Sequence, residues 1–124
     1  MPVAIPTDDE FDVIVGQALD SLPKKYTQKL DNVAIVYADD PTPEQHYQLK
    51  LRHDQTLLGL YEGVPLPARG GMTKLMPDKI TLFKHPLAYK SNSPQELQEN
   101  VRHTLWHEMA HYFGLDHPQI HALE

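Results

Sequence analysis

Residues 107 to 117 read His-Glu-Met-Ala-His-Tyr-Phe-Gly-Leu-Asp-His, the pattern H-E-x-x-H-x-x-G-x-x-H without a departure. On a helix of about 3.6 residues per turn, His107 and His111 stand one turn apart on one face, so both imidazoles can reach a single zinc ion. Glu108 lies about 100° round the helix from His107, which sets its carboxylate beside the ion and leaves it able to take a proton from a metal-bound water. Gly114 can adopt the left-handed conformation that ends a helix, and the turn would swing His117 back as a third ligand. Three protein ligands leave a coordination position open, which distinguishes a catalytic zinc site from a closed structural one. The pattern therefore predicts a zinc hydrolase site, with Glu108 as general base passing the water's proton to the leaving amine.

The remaining polar residues carry weaker signals. Tyr89, Tyr112 and Arg102 are candidates for stabilising a developing oxyanion, and spacing does not choose among them. His103 precedes His107 by one turn on the same face, as a neighbour of the site or a substrate contact. Asp116 could orient an imidazole, and His121 could compete as a ligand. His46, His53 and His85 stand at no useful spacing and are expected on the surface.

The elements that must position the motif can be read from caps and periodicity. Ser93-Pro94-Gln95-Glu96 supplies a cap, a first-turn proline and a capping glutamate, so a helix should run from Pro94 to about Phe113. Leu97, Val101, Leu105 and Tyr112 form its core-facing stripe beside the His stripe. Thr7 and Glu10 form a capping box for a first helix with Phe11, Ile14, Val15, Ala18 and Leu22 on one side, stopped by Pro23. Another helical turn is expected within residues 24 to 30, and Thr42-Pro43-Glu44-Gln45 opens a further helix. Strands are expected at Asn32 to Tyr37, Leu57 to Tyr61 and Lys79 to Phe83. Residues 63 to 78, with Pro65, Pro67, Gly70, Gly71 and Pro77, read as a long loop that could act as a flap.

Composition removes several classes. The chain has 124 residues, 40% of them hydrophobic, which fits a single domain over residues 1–124. A net charge of −6 and no basic cluster longer than Lys24-Lys25 argue against a nucleic-acid surface. The absence of Cys leaves His, Asp and Glu as the only metal donors. No long apolar run and no signal-peptide pattern are visible, so a cytoplasmic protein without membrane attachment is expected.

The motif resembles that of the metzincin clan of zinc metallopeptidases. By position, the resemblance implies His107, His111 and His117 as ligands and Glu108 as base. The chain departs from that clan: only Pro118 to Glu124 follow the motif, and no methionine takes the place of the turn beneath the zinc. Phe11 to Leu22, Leu30 to Ala34, Leu58 to Gly63, Lys79 to Phe83 and His107 to Gly114 resemble short bacterial zincin-like proteins, the minimal metallopeptidases. Members of that family often carry Asp at the position of His117. This resemblance implies an α+β zincin-like domain: a small twisted mixed sheet, an N-terminal backing helix and a C-terminal active-site helix.

Three functions fit these residues. One is a zinc-dependent peptidase acting on peptides or unstructured protein laid along a sheet edge such as Lys79 to Phe83. The others are a zinc-binding module without proteolytic turnover and a zinc hydrolase of a non-peptide substrate. If His117 is the third ligand, His117→Ala should weaken zinc binding by more than the roughly 10–100-fold that loss of an outer hydrogen-bonding partner costs. Competitive chelation measures this, and an unchanged affinity would move the third ligand to Asp116, His121 or water.

Overall fold

The computed structural model describes residues 2–30, 33–48, 57–63 and 77–115. The elements run α1 (Asp8–Ser21), α2 (Lys24–Thr27), β1 (Val33–Ala38), α3 (Pro43–Gln48), β2 (Gly59–Glu62), β3 (Asp78–Phe83), α4 (Lys84–Lys90) and α5 (Pro94–Tyr112). The three strands form one mixed sheet in the order β1-β3-β2, with β1 parallel and β2 antiparallel to β3. The fold is α+β, as expected.

The helix starts obey their local chemistry. Thr7 caps α1 through the amide of Glu10, and the Glu10 side chain returns the bond to the Thr7 amide. Ser93 caps α5 through the Glu96 amide, with Pro94 in the first turn. Thr42 and Gln45 make the same reciprocal pair at the start of α3.

One face of the sheet supports the two long helices. Register puts Ile35 beside Ile80 and Tyr37 beside Leu82, with Tyr61 and Gly59 across from the same two residues of β3. Ile80 and Leu82 are fully buried in one core with Phe11, Val15 and Ala18 of α1 and Leu97, Val101 and Leu105 of α5. The expected apolar stripes of both helices are therefore the ones that pack.

Four readings of the sequence need correction. Lys79 to Phe83 cannot offer a sheet edge, because β3 is the central strand and is hydrogen-bonded on both sides. The strand read at Leu57 to Tyr61 is displaced to Gly59–Glu62. The stretch Lys84–Lys90, not assigned to any element, is a helix whose Pro86 sits in its first turn, where no helical bond is lost. That helix also changes the reading of His85. Its amide donates to the Asp39 carbonyl (3.0 Å) and its Nδ1 meets Asp40 Oδ2 (2.9 Å), so it is a half-buried joint between β1 and α4. His53 and residues 64–76 of the expected flap lie outside the described residues.

Among the described residues, no helix is long and apolar enough to cross a membrane.

The junction between β2 and α5 is tight. A Cβ placed on Gly59 would stand 2.7 Å from Thr104 Cγ2 and 3.3 Å from Glu108 Cγ, closer than ordinary packing allows. Gly59→Ala should therefore push the strand off the helix and cost about 1–3 kcal/mol, the usual range for overpacking. Urea unfolding checks this, and a variant as stable as the parent would show that the junction is slack.

Candidate metal centre

His107, Glu108 and His111 lie on α5 with one potential ligand atom each, all within 4.8 Å of one another. The two imidazoles are half-buried, with ring centroids 4.9 Å apart and planes at 73°. This is the arrangement that a one-turn separation on a helix face predicts. Paired imidazoles are donors that suit zinc and a carboxylate stands beside them, so the residues present fit the ion that the motif implies.

The end of α5 also follows the sequence reading. Gly114 has a φ of 75°, its amide donates to the His111 carbonyl (3.0 Å), and the Leu115 amide donates to the Ala110 carbonyl (3.0 Å). This pair of bonds is a Schellman turn, and it requires the left-handed residue that glycine supplies. His117, Asp116 and His121 lie outside the described residues.

Glu108 has a different environment from the two histidines. It is 8% exposed, and its Oε1 accepts a hydrogen bond from the backbone N–H of Tyr61 (2.9 Å). The strand geometry explains where that N–H comes from. Phe83 donates to the Leu58 carbonyl, so residues 58, 60 and 62 turn their backbone groups toward β3, while Gly59 and Tyr61 turn theirs to the outer edge. Glu108 meets the outward amide of Tyr61. Burial pushes the carboxyl up from its ordinary 4.5 to about 7, and the Tyr61 bond opposes that rise. A carboxyl poised there is well matched to general base work near neutral pH.

Tyr61 is itself anchored. Its hydroxyl donates to Asp78 Oδ2, and Asp78 is fully buried. Its ring packs edge-on against Tyr112, with centroids 6.2 Å apart. Gly63, at φ 151°, passes so close over the Asp78 carboxyl that a Cβ there would overlap it.

Beside these residues is a cleft of about 270 Å³ lined by Leu57, Leu58, Gly59, His103, Thr104, His107 and Glu108. His103 is brought to the site as its spacing allowed. The three oxyanion candidates are not among the lining residues. Tyr112 is buried beneath Tyr61, Arg102 turns its Nε to Ser21 Oγ of α1 (3.0 Å), and Tyr89 stands 67% exposed on α4. Sequence reasoning missed Gly59, Tyr61 and Thr104. The glycine inside an apolar run was the one available signal, since such a glycine often marks a close backbone approach.

Helix, edge strand and cleft together have the architecture of a zincin. The zincin-like metallopeptidase family matches residues 30–124, and the chain belongs to that family. A solved structure of a conserved hypothetical protein from Thermo thermophilus is similar, with a TM-score of 0.60 and 18% identity. The match covers 87% of this chain and 94% of that one. At that identity the likeness shows the fold. No curated protein matches the chain.

The raised Glu108 carboxyl makes the metal-free protein sensitive to pH in a definite direction. Below about 4.5 the group is protonated whether the chain is folded or not. Between 4.5 and about 7 only the unfolded state ionises freely, so stability falls as pH rises through that window. The full effect is roughly 3 kcal/mol. Metal-free Glu108→Gln, which keeps an acceptor for Tyr61, should be more stable than the parent by roughly 2–3 kcal/mol at pH 8, with the difference closing toward pH 5. Urea unfolding at several pH values measures it, and a difference that does not change with pH would mean that Glu108 is well solvated.

Proposed function

We propose that the chain is a zinc-dependent metallopeptidase in which His107, His111 and His117 hold the ion and Glu108 is the general base. The observation that carries this reading is the separation of roles on α5. Two imidazoles stand together half-exposed, while the carboxylate between them in sequence is buried and held by a backbone amide. Membership of the zincin-like family supports the same reaction class. Zinc, when bound, supplies Lewis acidity that brings the pKa of water toward about 7 and a charge that polarises a carbonyl.

The protein's own groups supply the rest. Glu108, fixed by Tyr61, takes the water's proton and delivers it to the leaving nitrogen. The outer edge of β2, where Gly59 turns both its backbone groups and Tyr61 its carbonyl away from β3, gives an extended peptide a strand to lie along, the Tyr61 N–H being kept for Glu108. That edge replaces the one first read at Lys79 to Phe83. An unstructured segment is the substrate that fits, because only extended backbone can pair with a strand.

Glu108→Gln tests the assignment. It should retain one zinc per chain and lose roughly 10²–10⁴-fold in peptide hydrolysis. A zinc-loaded parent protein that cleaves no member of a diverse peptide library would sink the peptidase reading and leave the zinc-binding module in its place.

A further inference from the structure

Resting on that reading, we infer that Asp78 is a positioning residue: through the side chain of Tyr61 it fixes the direction of the backbone N–H that holds Glu108, and so governs the rate of proton transfer while leaving zinc and substrate binding alone. Three observations carry the inference. The first is the pairing of buried acids. Among the described residues Asp78 and Glu108 are the buried carboxyl groups, and Tyr61 donates to both, to Asp78 through its hydroxyl and to Glu108 through its amide. The Asp78 carboxyl is costly to desolvate, and an apolar residue would close the start of β3 without that cost.

The second is register. Tyr61 stands opposite Ile80, which makes Asp78 its diagonal neighbour on the same face of the sheet, within reach of a side chain as long as tyrosine. Gly63, at φ 151°, passes over the Asp78 carboxyl where a Cβ would overlap it, so the acceptor has little room to move. The third is the slightness of the strand. β2 has four residues and, among the described residues, is bonded to a strand on one side. Such an element opens locally at low free-energy cost. The Tyr61 amide points away from β3, so no ladder bond sets its direction. The hold on the tyrosine side chain does so instead, with the hydroxyl at Asp78 and the ring against Tyr112. With the hydroxyl released, the ring can turn and the strand can twist about its own axis. Glu108 then samples positions from which proton transfer is slow.

Two variants and one exchange measurement test this. Y61F keeps the ring and removes the hydroxyl, and D78A removes the acceptor. In zinc-loaded protein each should lower kcat for peptide hydrolysis roughly ten- to a hundredfold, with KM and zinc affinity within about twofold of the parent. The double variant should lose no more than D78A alone, because both changes cut one link. In metal-free protein, hydrogen exchange followed by NMR should be roughly tenfold or more faster at the amide of position 61 in both variants, measured relative to the Leu82 amide of the central strand. Folded variants that turn over like the parent overturn the inference. A loss shared with KM or zinc affinity also overturns it, since that is what a general prop of the domain would give, and so do additive losses in the double variant. Y61F, which removes a single oxygen, decides the matter where D78A does not fold. A parent protein that cleaves no peptide sinks the peptidase reading alone. Exchange at position 61 still judges the anchor in that case, and exchange unchanged in the variants overturns it.

Discussion

The hydrogen bond from the Tyr61 amide to Glu108 joins the sheet to the helix that carries the motif. A buried carboxylate and an outward-facing strand amide each incur a desolvation cost if left without a partner. Here each is the other's partner, which holds β2 against α5 at one point and the carboxylate in one place. Gly59 makes this approach possible by presenting only backbone to Thr104 and Glu108. The same contact that closes the fold also orients the group proposed to move protons.

Support for that contact extends outward through Tyr61. Its hydroxyl is tied to the buried Asp78 at the start of β3, and its ring rests on Tyr112, whose neighbour Phe113 packs in turn against Tyr26 of α2. The opposite end of the sheet is fastened by charge. Lys84 at the start of α4 reaches Asp8 of α1 at 2.7 Å and Asp39 after β1 at 3.4 Å. One end of β3 is thus set by aromatic packing and a buried carboxyl, and the other by a cation between two carboxylates.

Much of this was legible in the residues, and the failures share a cause. Caps at Thr7, Thr42 and Ser93, the stripes of α1 and α5, and the Gly114 turn are all local, and the structure places each where short-range chemistry puts it. The identity of the edge strand was not legible, because whether Lys79 to Phe83 is central depends on a pairing partner more than 40 residues earlier. The hold on Glu108 was hidden for a related reason. Its donor is a backbone amide, which every residue but proline possesses, so no residue type signals it. α4 escaped notice because seven residues are too few to show a helical period, and its Pro86 reads as a breaker until it is seen in the first turn. The roles of His117, Asp116 and His121 rest on the motif and the resemblance.

The topology also bears on the order in which the protein becomes itself. Tyr61 and Glu108 are 47 residues apart, and β1 pairs with β3 across the whole of β2 and its connections. Contacts of such long range carry a loop-closure cost that is recovered only when most of the chain is in place. Helix α5 can bring His107 and His111 together by local winding alone, whereas the hold on Glu108 needs β2 docked against the helix. A chain wound only at α5 would hold the pair of imidazoles and lack the placed carboxylate, which ties the complete constellation to completion of the domain.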